Sequence, residues 1–169
     1  MVDQNTNEKS HKQIFPSEPS LEIFSDASLT GWGAVCRELK TNGPWDITDA
    51  KRHINELELI AALNGLMCFT KQTRNATVFL HIDNTTAVSY INKLGGTKSR
   101  SLCKISFKIV KWCEDRKIEL QAFHLPGILN ILADKESRKE QEKGDWKLSS
   151  CRPKLSTRLR KDGIQQWTF

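Results

Sequence analysis

The residues that could carry chemistry in this sequence are four acids, Asp26, Glu58, Asp83 and Asp134. Asp26 and Asp83 each follow an apolar run, Glu58 interrupts an apolar helical stretch, and Asp134 follows a Leu-Ala pair. Carboxylates that are brought together repel one another, and their pKa values rise unless cations occupy the space between them. Magnesium takes oxygen ligands and binds substrate phosphate, so these four acids suit two magnesium ions about 4 Å apart. In such a pair, one ion activates water and the other stabilises the leaving oxygen.

Each acid also has a purely structural interpretation when it is taken alone. Asp26 and Asp83 could be cap or turn residues. Glu58 could be a first-turn glutamate that the helix dipole favours, and Asp134 could lie on a helix surface. His124 could likewise be a satisfied core or turn histidine. The functional hypothesis therefore depends on the acids acting as a set.

The apolar periodicity predicts the elements that must position this set. Strands are expected at 21–26, 31–39, about 45–48, 77–82 and 119–124, and helices at 56–69, 85–94, 99–116 and 130–138. This order predicts an α/β fold with a five-stranded mixed sheet flanked by helices, in which two parallel strands join an antiparallel three-strand meander. Because adjacent parallel strands end at one edge of a sheet, Asp26 and Asp83 are expected about 5 Å apart there.

Positive charge is the main compositional signal, with a net charge of +6. Much of it lies in the C-terminal tail and in residues 93–117. One face of the third predicted helix collects Arg100, Lys104 and Lys108, and Lys98 lies just before that helix. We therefore expect a partner that carries phosphate, with solvated surface charge as the alternative.

The length of 169 residues and the 38% apolar content fit one domain. Residues 1–20 have no apolar period and are predicted to be a disordered linker, 21–138 to form the domain, and 139–169 to be a basic tail of unassigned structure. No apolar run reaches membrane-spanning length and no export signal is present, so we expect an intracellular protein, cytoplasmic or nuclear, with no membrane partner. The five cysteines never occur as C-x-x-C, which argues against a zinc site or a disulfide framework.

The four acids and the sequence segments around them, taken in order, resemble the ribonuclease H domain of retroelement reverse transcriptases over residues 21–138. The resembling segments are FSDAS at 24–28, GWGAV at 31–35, ELIAAL at 58–63, IDNTTAV at 82–88, HLPG at 124–127 and ADKESR at 133–138. The segments INELEL at 54–59 and DNTTAV at 83–88 look closest to DIRS-type elements and the gypsy-like group.

The resemblance implies a ribonuclease H-like fold and metal-dependent hydrolysis of the RNA strand of RNA/DNA hybrids. It implies that Asp26, Glu58, Asp83 and Asp134 are catalytic and ligate two Mg²⁺ ions, for which Mn²⁺ could substitute. It also implies that His124, ten residues before the last acid, lies on a mobile loop and assists proton transfer or product release. Besides the hybrid, a reverse transcriptase polymerase domain is the implied partner.

Two details refine this expectation. Glu56 competes for the role of Glu58, but residues two positions apart on a helix differ by about 200°, and the match to Glu-Leu-x-Ala favours Glu58. The loop at 93–99 is too short for the extra basic helix with which cellular enzymes of this family hold substrate. The grip on the hybrid is therefore assigned to Lys98, Arg100, Lys104 and Lys108.

Two other functions stay open. The chain could be a catalytically inactive, nucleic-acid-binding relic of a retroelement. It could also be an integrase-like core, which shares the architecture and the two-metal chemistry. The integrase hypothesis is less favoured for two reasons. Such cores have no glutamate in the first helix, where this chain has Glu58, and the last acid of their catalytic set is usually Glu, where this chain has Asp134.

Overall fold

The computed structural model describes residues 18–139, and residues 1–17 and 140–169 lie outside the described part. The expected linker and basic tail therefore fall almost wholly outside it. The elements are β1 (Leu21–Ala27), β2 (Gly31–Cys36), β3 (Leu39–Pro44), α1 (Ile54–Phe69), β4 (Ala76–Ile82), α2 (Thr85–Asn92), α3 (Arg100–Glu114), β5 (Ile118–His124) and α4 (Ile131–Ser137). A short 3-10 turn precedes α1.

Over these residues the strands form one five-stranded sheet in the order β3-β2-β1-β4-β5. β1, β2 and β3 form an antiparallel meander, while β4 is parallel to both β1 and β5. This confirms the predicted mixed sheet. The register pairs Ser25 of β1 with Ile82 of β4, so the next residues, Asp26 and Asp83, lie beside each other at one edge.

α1 is the central helix of the layer that covers one face of the sheet. Apolar residues surround it on nearly all sides, and Leu57, Leu59 and Leu66 are completely buried. Truncating a fully buried leucine to alanine typically costs about 2–5 kcal/mol, so this helix holds the domain together. Among residues 18–139, no helix combines the length and the apolar character needed to cross a bilayer.

The third strand differs from the prediction, since β3 occupies 39–44 rather than 45–48. Between β2 and β3 the chain reverses at Arg37, whose φ of 56° lies in the left-handed region. Trp45 instead packs in a small second core beside Trp32, and its indole N–H donates to Ser28 O at 2.7 Å. Burial of the indole therefore fixes the segment that we expected to be a strand.

Candidate active site

Three of the four predicted acids meet at the edge of the sheet. Asp26 lies near the end of β1, Asp83 directly follows β4, and Glu58 projects from α1, which packs across β1. Each offers a carboxylate oxygen, and these oxygens all lie within 4.8 Å of one another. Asp26 and Glu58 are buried, with exposed fractions of 4% and 3%. The parallel pairing of β1 and β4 thus produces the close approach that the sequence predicted.

Burial and mutual repulsion raise the proton affinity of this cluster. The pKa of Glu58 rises to about 9, mainly because the carboxyl is buried and also because Asp26 and Asp83 are close. Burial likewise raises the pKa of Asp26, against the lowering effect of a hydrogen bond from Ser137. Without a cation, Glu58 is therefore protonated at neutral pH.

The donor set fits a hard divalent cation. All three groups offer carboxylate oxygens, which Mg²⁺ and Mn²⁺ prefer. Glu58 Oε2 is buried and has no hydrogen-bond partner among the described residues. A buried oxygen without a partner is costly, and a cation would satisfy it and offset the repulsion between the carboxylates.

Asp134 lies at the rim of the cluster rather than inside it. It sits in the first turn of α4, it is not one of the three acids whose oxygens come within 4.8 Å, and its side chain is 39% exposed. Its Oδ1 lies 2.6 Å from Arg138 Nε in an ion pair. Its negative charge still contributes to raising the pKa of Asp26, so the two carboxylates lie near each other.

Helix α4 is fixed to the sheet by contacts that the sequence did not predict. The buried Ser137 hydroxyl donates to Asp26 Oδ2 at 2.5 Å, and the Asn130 amide donates to Ser25 O at 3.0 Å. Ser28 donates its hydroxyl to Ser137 O at 2.7 Å. Gly33 lets the helix backbone approach β2, because a Cβ there would lie 2.4 Å from Ser137 N. Asn130 and Ser137 lie beside the last predicted acid, but only the fold reveals their partners.

His124 is the last residue of β5, the strand predicted at 119–124, whereas the resemblance implied a place on a mobile loop. Its pairing with Ile82 keeps it in the strand, and Leu125 N donates to Ile82 O at 2.9 Å to close the ladder. The exposed imidazole Nε2 lies 3.1 Å from Asp83 O. The ring is therefore held at the border of the cluster.

Glu56 faces a different group of residues from Glu58. Its carboxylate accepts hydrogen bonds from Ser101 Oγ at 2.5 Å and from Arg52 Nη1 at 3.0 Å. The Ser101 hydrogen bond and the neighbouring Arg52 lower its pKa, although partial burial opposes them. The structure thus places Glu58, and not Glu56, in the carboxylate cluster.

The four predicted nucleic-acid-binding cations do not line the cluster. Lys98 precedes α3, the other three lie on it, and all are exposed: Lys98, Arg100, Lys104 and Lys108. The contact between Ser101 and Glu56 places the start of α3 beside the first turn of α1. The basic surface therefore begins next to the helix that carries Glu58.

The sequence matches no protein-family model and no curated protein. Solved structures do match. LC11 ribonuclease H1, isolated from compost, has a TM-score of 0.57 and 18% identity, covering 68% of this chain and 90% of its own. Ribonuclease H1 from the archaeon Halobacterium salinarum has a TM-score of 0.56 and 15% identity, covering 69% and 92%.

An N-terminal ribonuclease H domain from Mycobacterium tuberculosis has a TM-score of 0.55 and 14% identity, covering 69% of this chain and 91% of its own. The LC11 enzyme in complex with an RNA/DNA hybrid has a TM-score of 0.50 and 19% identity, covering 69% and 92%. This chain therefore has the ribonuclease H-like fold.

Proposed function

We propose that this chain is a metal-dependent endonuclease that hydrolyses the RNA strand of RNA/DNA hybrids. The observation that carries the proposal is the close approach of the buried Asp26 and Glu58 and the partly buried Asp83, within 4.8 Å, at the carboxyl edge of parallel strands. Ligand and active sites in open α/β sheets are built at this edge. A buried carboxyl such as Glu58, whose pKa is strongly raised, destabilises the metal-free fold at neutral pH. A role in binding cations would explain why the chain keeps it there.

Asp26, Glu58 and Asp83 would hold two Mg²⁺ or Mn²⁺ ions, with Asp134 completing the set from the rim. When bound, such ions activate water and stabilise the leaving oxygen of the phosphodiester. Glu58 must give up its proton for this, because its pKa of about 9 keeps it neutral otherwise. Ser137 keeps one oxygen of Asp26 oriented, and the exposed imidazole of His124 would transfer a proton at the edge of the site.

The substrate class follows from strand recognition by shape. An RNA/DNA hybrid presents 2′-hydroxyls along its minor groove, which separate the RNA strand from DNA without any reading of sequence. The basic residues Lys98, Arg100, Lys104 and Lys108 would bind its phosphates. The compost enzyme that shares this fold has been solved with such a hybrid, which supports the same class of ligand here.

We place this activity in reverse transcription by a retroelement, closest to the DIRS-type and gypsy-like group, on the motif segments alone. A polymerase domain of a reverse transcriptase is the corresponding partner, and the cytoplasm or nucleus the corresponding compartment. The acids at 58 and 134 favour this over an integrase-like core.

A cleavage assay tests the proposal. The full chain is incubated with Mg²⁺ and a hybrid labelled on the RNA strand, with duplex DNA and duplex RNA as controls. We expect RNA-strand products from the hybrid alone, their loss in EDTA and in Asp83→Asn, and their persistence in Glu119→Gln, an exposed acid on β5. Cleavage that persists in Asp83→Asn would overturn the metal assignment.

The catalytically inactive relic is the second candidate, and one observation favours it. Asp134 is engaged by Arg138 at 2.6 Å and lies outside the three-acid cluster. If that ion pair persists in the presence of metal and hybrid, the fourth ligand is missing. The relic predicts hybrid binding without cleavage at any Mg²⁺ or Mn²⁺ concentration, which the same assay would reveal.

A further inference from the structure

The outer face of α3 carries an exposed aromatic ring among cations. At 100° per residue the face spans an arc of about 100°, and it runs about 16 Å along the helix. We call it the α3 stripe, and it consists of Arg100, Lys104, Phe107, Lys108 and Lys111. Phe107 is 68% exposed, while Leu102, Ile105 and Ile109 on the opposite face are buried.

The cations of the stripe are available to a ligand. Arg100, Lys104 and Lys108 make no ion pair with any carboxylate in residues 18–139, and Lys111 pairs only with the exposed Asp115, at 3.0 Å. A single exposed apolar side chain is ordinary on a protein surface. What distinguishes Phe107 is its position between unpaired cations, since a stacking ring flanked by positive charge is the arrangement that binds single-stranded nucleic acid.

We propose that the α3 stripe binds single-stranded nucleic acid, with an unpaired base stacked on Phe107 and the phosphates on the surrounding cations. The phosphates of a paired strand can bind the cations, but its bases cannot stack on Phe107, because the faces of bases inside a duplex are already covered by their neighbours. An unpaired base offers a free face, and stacking on an aromatic ring does not depend on the base type. The ring therefore selects strand state, and the cations supply sequence-independent affinity.

The start of the stripe lies beside the first turn of α1, the helix that carries Glu58. Ser101 in the first turn of α3 donates to Glu56, two residues before Glu58 on α1. A single strand on the stripe would therefore lead toward α1, the helix that carries Glu58. That this single strand is the unpaired extension of a hybrid bound at the carboxylate cluster rests on the proposed nuclease function. The binding of single strands to the stripe does not depend on that function.

Fluorescence anisotropy in EDTA tests the proposal, using the full chain and labelled oligo(dT) of about 12 nucleotides, a blunt hybrid, and the same hybrid with a single-stranded extension. We expect Phe107→Ala to weaken oligo(dT) binding about 5- to 10-fold, as loss of one base stack does. Phe107→Leu keeps an apolar side chain and should behave like the alanine variant. Lys104→Gln with Lys108→Gln should reduce the salt dependence of binding, by about 0.7 in slope for each lost contact.

Ile47→Ala removes another exposed apolar side chain, and Lys71→Gln another exposed cation, and both serve as matched controls outside the stripe. Both should bind oligo(dT) like the unchanged protein. Thermal unfolding of each variant verifies folding, which these exposed substitutions should preserve.

The proposal is overturned if Phe107→Ala and Phe107→Leu bind oligo(dT) as well as the unchanged protein, or if oligo(dT) is not bound at all. It is also overturned if an acidic, aromatic-containing peptide binds the stripe in a Phe107-dependent way and oligo(dT) does not, since the partner is then a protein. All binding is measured without divalent metal, so the two proposals fail separately. A chain that does not cleave hybrids can still bind oligo(dT) through Phe107, and a chain that cleaves hybrids can still fail to bind it.

Discussion

Ser137 donates its hydroxyl hydrogen to Asp26 Oδ2 over 2.5 Å, joining two residues that lie 111 positions apart in the chain. Both residues are buried, with exposed fractions of 2% and 4%. This bond ties the helix that carries the last acid to the strand that carries the first. The geometry of the candidate site therefore depends on how α4 docks as well as on the sheet.

Ser137→Ala should destabilise the protein by about 1–3 kcal/mol, because a buried carboxylate loses its hydrogen-bond donor. The pKa of Asp26 should rise further, since the Ser137 hydrogen bond lowers it more than the charge of Arg138 does. Urea unfolding at pH 7 measures the first effect. The matched control is Ser106→Ala, a buried serine whose hydroxyl has no partner within the described chain, and it should change stability little. Equal losses in the two variants would contradict a special role for the Ser137 bond.

Glu58→Gln should stabilise the metal-free protein at pH 8 by more than about 1 kcal/mol. The pKa of Glu58 is about 9 in the folded chain against 4.5 for the free group. Between these values the unfolded state releases a proton that the folded state keeps, so stability falls as pH rises, and glutamine removes that loss. Urea unfolding in EDTA at pH 5 and pH 8 should show the advantage growing with pH.

Glu56→Gln is the control of opposite sign, two residues away on α1. The pKa of Glu56 is lowered, mainly by the Ser101 hydrogen bond, so its stabilising contribution is present above the free pKa of 4.5 and lost as pH falls through its lower folded value. This variant should therefore be less stable than the unchanged protein at both pH 5 and pH 8. A Glu58→Gln protein that is also less stable at pH 8 would show that the Glu58 carboxyl does not destabilise the folded state at that pH.

Gly33→Ala should detach α4 without disrupting the sheet. The added Cβ would lie 2.4 Å from Ser137 N and 2.7 Å from Ala133 O, and backbone atoms can yield only if the helix moves. Overpacking of this kind costs about 1–3 kcal/mol. Hydrogen exchange should become faster in α4 while amides of β1 and β4 stay protected. Unchanged exchange in α4 would mean that the helix does not rest on Gly33.

Arg138→Gln should increase Mn²⁺ affinity about two- to fivefold, because it frees the Asp134 carboxylate and removes a positive charge near Asp26. Calorimetric titration measures the change. Lys139→Gln removes the neighbouring cation, which pairs with Glu136 instead, and should leave the affinity unchanged. If Arg138→Gln binds Mn²⁺ more weakly, the ion pair positions Asp134 rather than withholding it.

The three-acid cluster could be predicted because its causes are local and topological. Asp26 and Asp83 each come at the end of a short apolar-rich run that predicts a strand, and parallel neighbours end at one edge. Glu58 is conspicuous as a charge in an apolar helix. Each inference needs only the type and order of the elements.

The contacts around α4 could not be predicted in the same way. The partner of Ser137 depends on how a seven-residue helix docks, and no local periodicity encodes that. The same holds for Asp134, whose expected place among the ligands depended on the orientation of that helix. The β2–β3 turn was missed because Arg37 adopts a left-handed conformation that its residue type does not signal.

The most direct test of the carboxylate cluster as a metal site is anomalous diffraction from crystals of the protein soaked in Mn²⁺. We expect anomalous peaks from Mn²⁺ ions at roughly 2.0–2.2 Å from oxygens of Asp26, Glu58 and Asp83, the distance typical of a small hard cation. Absence of any peak there at saturating Mn²⁺, with the three side chains still in contact, would contradict it.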